Sequence, residues 1–475
     1  MKKTIALILT AVLVLSLCAC GGGGGKDQAL QVGFDRQSIT PTETGAPIAG
    51  GDSSARPSDG FLDEVCVTCI ALSKGGETYL VFTCDFMIIY DKVLDPVKLV
   101  ISEDTGIPKE NMLFNCTHTH SGVDINSSKW DGVGAYRELF SRRSLKAAQK
   151  ALEDLSPATI SYGSTQTEGM TFVRHYRMND GTTCGNGHGS SASGYKEHMY
   201  EADQELQLIK FTREAEDKKD IIIASFPSHA TTVNGTNRTT LSACYPGAFR
   251  AAVERDAGVH CAFFQGASGD QVPTSHIEEL NAVYPKNHKT HGEKLAEYAL
   301  SVEFTPMDDS ALVFKRWEYT GKAMKEGMED PELMAHAAEV AALSNQLGSS
   351  HTQVAALVKQ YGFYNVYEAT GLVSRSKAPE ERTMKLVVMQ LGSEVSMVFA
   401  PYEMFGMHGT YIKEHSPYEM DFIVTCSENY EGYFPHIEGC EEGFYEYDVT
   451  KYERGTGEKL AELYAQTLTE IKNGG

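Results

Sequence analysis

Asn111-Met112-Leu113-Phe114-Asn115-Cys116-Thr117-His118-Thr119-His120 opens on an apolar run and ends on two histidines one residue apart. Residues 111–116 read as a buried strand, and the polar tail reads as its exit loop. On an extended backbone, residues two apart project to the same face, so both imidazoles point one way. A lone histidine there is ordinarily a satisfied polar residue. A His-x-His at a strand exit is equally suited to a metal ion.

The same punctuation recurs outward along the chain. Residues 78–84 run into Asp85, 221–226 into Pro227-Ser228-His229, and 261–265 into Gly266-Ala267-Ser268-Gly269-Asp270. A hairpin of residues 384–391 and 395–399 delivers Glu403, and 422–426 leads to Asn429-Tyr430-Glu431-Gly432-Tyr433. In layered α/β folds strand ends meet in one crevice, which is the usual ligand site. Zinc takes three or four N, O or S donors, and His229 and Glu403 suit that role, although spacing alone leaves their recruitment open.

Further strands are expected at 30–34, 65–72 and 206–211, with a hairpin about Gly75-Gly76. Helical spacing marks 93–103, 136–155 (stopped by Pro157), 247–257 and 457–471. Residues 331–361 are Ala-rich and polar-faced and read as an inserted helical pair or lid, while 181–194 is Gly/Ser-rich and reads as a mobile loop. Strands alternate with helices, yet several meet through short turns. The expected class is therefore α/β, a layered mixed β-sheet with flanking helices and a helical insertion near 331–361.

With 475 residues, 41% of them hydrophobic, the chain can bury a large core. Lys+Arg 42 against Asp+Glu 64 gives a net charge of −22, with no compensating basic run, which excludes nucleic-acid binding. Electrostatic adhesion to anionic lipid is disfavoured for the same reason. Lys2 and Lys3 precede an apolar stretch at 5–17, which ends in Leu17-Cys18-Ala19-Cys20 and five glycines. This resembles a bacterial lipoprotein signal, with residues 1–19 as signal peptide, Cys20 as the lipidated residue and 20–29 as a flexible tether. Two acyl chains at Cys20 imply a stable anchor on the extracytoplasmic face of a bacterial cell membrane. Nine cysteines remain beyond Cys18 and Cys20. Cys66 and Cys69 form a C-x-x-C inside a strand-like run with no second pair to complete a zinc knuckle, so they read as ordinary strand residues.

Several segments together resemble the catalytic domain of the neutral/alkaline non-lysosomal ceramidase family, in order, over roughly residues 30–470. They are Gly33-Phe34-Asp35-Arg36-Gln37-Ser38-Ile39-Thr40-Pro41, Asn115-Cys116-Thr117-His118-Thr119-His120-Ser121-Gly122, and Ser228-His229-Ala230-Thr231. Gln265 to Pro273 and Asn429 to Tyr433, with Tyr445-Glu446, complete the set. The resemblance implies a zinc hydrolase domain at 30–475, with the ion held by His118, His229, Glu403 and Tyr433. It implies metal-activated water attacking the amide of a lipid-like N-acyl substrate, a reaction of sphingolipid metabolism. His120 would carry the proton, and Arg174 and Tyr445 would bind the scissile group. Asp85 and Asp270 would either orient imidazoles or cap loops. The chain departs from the family at Val272, where ceramidases carry Ser, and a chain that stops soon after Tyr445-Glu446 is expected to lack their immunoglobulin-like C-terminal domain. The alternatives are a hydrolase of a different amide or ester, and a lipoprotein that binds a ligand without catalysis.

Overall fold

The apolar runs become strands because both of their faces are covered, as the full burial of Ile221–Phe226 and of residues 79–84 requires. The computed structural model describes residues 29–50, 56–128, 130–185, 194–233, 237–281, 286–438, 440–441 and 443–474. The leader, Cys20 and the tether to residue 28 lie outside the described residues, as does 186–193 of the Gly/Ser-rich loop. Among the described residues no helix is long and apolar enough to cross a membrane.

The fold is α/β with mixed sheets. The layered mixed sheet with flanking helices expected from the sequence is present, built as two main sheets. The larger has nine strands, running across the sheet as His260–Gln265, Ile221–Phe226, Glu205–Arg213, Ser156–Gln166, Gln31–Ser38, Cys66–Lys74, Glu77–Cys84 and Met112–Cys116, with Thr305–Met307 beside Ser156–Gln166. The smaller runs Leu312–Lys322, Glu381–Leu391, Val395–Phe399 and Met420–Val424. Ile70, Val81, Ile209 and Ile223 of the first pack with Val387, Met389, Phe399 and Phe422 of the second in one apolar interface. Helices Asp91–Thr105, Val133–Glu153, Cys244–Ala257 and His288–Leu300 cover the outer face of the large sheet. Gly406–His415 and Thr456–Lys472 cover that of the small one. The result is a helix–sheet–sheet–helix stack.

Most pairings are antiparallel. Among the described residues of these two sheets, the parallel pairs are three: Glu77–Cys84 with Met112–Cys116, Ile221–Phe226 with His260–Gln265, and Val395–Phe399 with Met420–Val424. Each pair is bridged by a helix (Asp91–Thr105, Cys244–Ala257 and Gly406–His415), the crossover that parallel strands require.

Three expectations need correction. The last core strand ends at Val424, because Cys426 turns into the left-handed region at φ 54°. His118 is also left-handed, at φ 58°, so the two histidines do not converge through an extended backbone. The insertion has a third helix, Val366–Ser376, after Pro331–Leu347 and Thr352–Tyr361. Gly371 and several β-branched residues weaken its helical signal. The glycine is needed there, since a Cβ would lie 2.1 Å from the Asp448 carbonyl oxygen. Cys66 and Cys69 are strand residues, as expected, and all nine cysteines beyond Cys20 are free thiols.

Candidate metal centre

The three crossover units end at one place. His118 and His120 follow the second strand of the first unit, His229 follows the first strand of the second, and Glu403 follows the first strand of the third. Tyr433 comes later, on a short strand Tyr433–Phe434 that pairs in parallel with Glu403–Met404, Glu403 opposite Tyr433. The histidine loops are stitched by a bridge between Thr119 and Ala230, and His120 N–H donates to the Ala230 carbonyl at 3.1 Å. The third unit docks on both: Thr425 N–H donates to Gln265 O at 2.8 Å, and Cys116 N–H to Cys426 O at 3.2 Å.

Each ligand candidate is oriented by the other strand end of its own unit. His118 Nδ1 donates to Met87 O at 2.9 Å. His229 Nδ1 lies 2.7 Å from Ser268 O and 3.1 Å from Gln271 O. Tyr430 Oη donates to Glu403 Oε1 at 2.7 Å. With Nδ1 protonated and bound to a carbonyl, each Nε2 presents a lone pair, the arrangement found behind metal-bound imidazoles. Those lone pairs face a carboxylate oxygen: Glu403 Oε2 is 3.2 Å from His118 Nε2 and 3.1 Å from His229 Nε2. Among the described residues no donor outside the two imidazoles reaches it. Tyr433 Oη sits 3.5 Å from His229 Nε2.

Electrostatics separate the two imidazoles, His229 favouring the neutral form and His118 the charged one. Burial pushes His229 down to about 4, with Arg174 adding to the effect, and holds His120 well below its ordinary value. Burial also works against charge on His118, but Cys426 and Glu403 outweigh it and raise its basicity. Against the desolvation of Glu403, His118 and His229 hold its carboxyl well below the usual carboxylate range. His229 Nε2 and Glu403 Oε2 stand 3.1 Å apart, a spacing that a shared proton or a bound metal ion would each satisfy. The donor set N, N, O fits zinc, whose ligand atoms stand about 3.3–3.5 Å apart when each bond is about 2.0–2.2 Å.

His118, His120 and His229 also form a close triple. His120 differs from the other two. Its Nε2 is 3.3 Å from His118 Nε2, but among the described residues no carbonyl holds its Nδ1. It is also only half-buried, where His118 and His229 are fully enclosed. Gly50 makes room for it: a Cβ there would fall 2.5 Å from His120 Nδ1.

Arg174 is buried, paired through Nε to Glu446 at 2.5 Å, and Nη2 donates to Gly269 O at 2.7 Å. Its guanidinium lies 5.5 Å from the Tyr433 ring centroid, and the Tyr445 ring meets Tyr433 at 5.5 Å. Glu446 also binds His175 at 3.0 Å, and its carboxyl falls to about 2 because Arg174 and His175 overcome its burial.

Asp85 and Asp270 do not touch the imidazoles. Asp85 forms a two-pronged ion pair with Arg250 at 2.8 and 2.7 Å and caps Cys66 N–H, tying the first unit to the crossover helix of the second. Asp270 accepts from Gly406 N–H at 2.7 Å and Tyr200 Oη at 2.9 Å. Both aspartates cap loops. Tyr430 and Glu446 are not among the site residues expected from the sequence, although both stand in the segments Asn429 to Tyr433 and Tyr445-Glu446. The orienting carbonyls of Met87, Ser268 and Gln271 have no side-chain signal.

No family model matches the chain, and no curated protein matches it. Among solved structures it is similar to a neutral ceramidase from Pseudomonas aeruginosa, with TM-score 0.66 and 16% identity, covering 94% of this chain and 75% of that one. A ceramidase complexed with C2 matches with the same TM-score and identity, over 94% of this chain and 76% of the other. At that identity the likeness shows a shared fold.

Proposed function

We propose that the chain is a zinc-dependent hydrolase that cleaves the amide bond of a lipid-like N-acyl substrate, with His118, His229, Glu403 and Tyr433 as ligands. The observation that carries this reading is the Glu403 oxygen facing two carbonyl-oriented imidazoles, with no other donor among the described residues. The shared fold with solved ceramidases supports the substrate class. Zinc in that place supplies a Lewis acid and lowers the pKa of water toward about 7. Tyr430 fixes Glu403 through Oε1 and leaves Oε2 directed into the pocket. His120, neutral and more accessible than its neighbours, takes a proton at a ring nitrogen and returns it to the leaving amine. Arg174 and Tyr445, both against the Tyr433 ring, hold the scissile carbonyl and the charge that develops on its oxygen. Glu446 keeps the guanidinium in that position.

Residues 30–475 act as one hydrolase domain in this reading, attached through Cys20 to the outer face of a bacterial membrane. Cys20→Ser expressed in a bacterium should leave the membrane fraction, and a variant that stays there sinks the anchor. The activity test is hydrolysis of a panel of N-acyl amides and esters, including a short-chain ceramide, by zinc-loaded protein. Turnover that depends on His118 supports the proposal; a zinc-loaded protein inert on the whole panel favours the ligand-binding lipoprotein. A different amide or ester is the second reading. It is favoured by Val272, which pairs with Phe172 in a short ribbon two residues from Arg174.

A further inference from the structure

His408 is 2% exposed, yet neither of its ring nitrogens has a hydrogen-bond partner among the described residues. A buried imidazole without partners is costly unless a ligand completes it. Its surroundings are built for the ring: Gly457 opens the space, since a Cβ there would fall 2.2 Å from His408 Cε1. Two further donors converge on it. His408 Nε2 is 3.9 Å and His436 Nε2 3.8 Å from Glu458 Oε1, which also accepts from Ile437 N–H at 2.7 Å, while Glu458 Oε2 is buried without a donor among the described residues. These separations are too long for hydrogen bonds, and close to the spacing of ligands around a four-coordinate ion.

We propose that His408, His436 and Glu458 form a second metal site, for a divalent transition ion of the zinc class. All three line a cavity of about 520 Å³, so a fourth position is open to water. Glu201, Glu414 and Glu462 share that lining with no Lys or Arg, which favours a cation. The contact to be given up is Glu438 N–H on His436 Nδ1, 3.2 Å long and on an exposed turn.

The placement assigns the ion a structural role. His408 follows Glu403 by five residues and His436 follows Tyr433 by three, and Glu403 and Tyr433 are partners on one parallel ribbon. An ion on His408 and His436 clamps the ribbon just beyond its last pair and fastens it to helix Thr456–Lys472 through Glu458.

The test is zinc stoichiometry of the full-length protein, purified in detergent, stripped with chelator and reloaded with zinc alone. Two zinc ions per chain are expected. His436→Ala and Glu458→Gln, at partly exposed positions that leave the His408 ring in place, should each retain one, with a smaller zinc-induced rise in Tm than the natural protein. His118→Ala should also retain one, and His118→Ala/His436→Ala none. Equal zinc content in folded His436→Ala, Glu458→Gln and natural protein overturns this site. Zinc lost from His436→Ala but not from His118→Ala would overturn the hydrolase centre and leave this one standing.

Discussion

At the exits of the large sheet, His118 and His229 are held by backbone carbonyls; beyond the small sheet, on the ribbon they share, Glu403 and Tyr433 are held by side chains, a tyrosine hydroxyl and an aromatic–guanidinium stack. A carbonyl fixes the tautomer and plane of an imidazole whatever the neighbouring side chains are. Side-chain supports change with substitution. The large-sheet half should therefore tolerate substitution around its ligands better than the small-sheet half, against which the helical insertion packs. Tyr367 of that insertion meets Tyr445 at 4.9 Å, and Asn365 Nδ2 donates to Asp448 Oδ2 at 2.7 Å.

The largest effect separates the two halves directly. His229→Ala should abolish hydrolysis and empty this site, whereas Tyr433→Phe should keep zinc and lower turnover by roughly 10–100-fold. Equal loss of metal in both, measured by elemental analysis, would break the comparison. Next comes Glu446→Gln, which frees Arg174 without touching a ligand. We expect kcat to fall by about 100-fold with zinc unchanged. Because the Glu446 carboxyl is depressed to about 2, its stabilisation is full above pH ~4.5 and is lost as pH falls toward 2. Glu446→Gln should accordingly flatten the dependence of Tm on pH in that window.

The insertion gives a smaller effect. Gly371→Ala forces a Cβ into the Asp448 carbonyl oxygen and should cost about 1–3 kcal/mol of stability, shifting KM among N-acyl chains more than kcat. Asp448 tunes the same contact. Burial raises its carboxyl to about 7, so the folded state loses stability as pH rises from about 4 to 7, and hydrogen-exchange protection factors in 366–376, corrected for the intrinsic rate at each pH, should fall over that range. Asp448→Asn should remove the trend. Smallest of all, Val272→Ser should change substrate preference a few-fold, roughly the worth of one side-chain contact, and leave metal content alone.

The strands that carry His118, His229 and Glu403 were legible because strands buried on both faces read as unbroken apolar runs, and their exits as polar breaks. The parallel pairing of those strands was not, since register depends on distant partners. The left-handed turn at His118 escaped for a similar reason: the hydrogen bond to Met87 O and the contact with Cys426, 3.4 Å from His118 Nδ1, come from other segments. The third insertion helix was hidden by Gly371, whose value is close packing on Asp448. His408, His436 and Glu458 lie on three separate elements with no local motif, so only folding brings them together.

One ion should sit between His118 and His229, at the exits of the large sheet, and the Glu403 carboxylate on the ribbon beyond the small one. Anomalous scattering at the zinc edge, from crystals of zinc-loaded protein, tests it without reference to substrate. A peak is expected about 2.0–2.2 Å from His118 Nε2, His229 Nε2 and Glu403 Oε2. A map from fully loaded protein with no peak at that point, or with His118 and His229 turned away from Met87 O and Ser268 O, would contradict it.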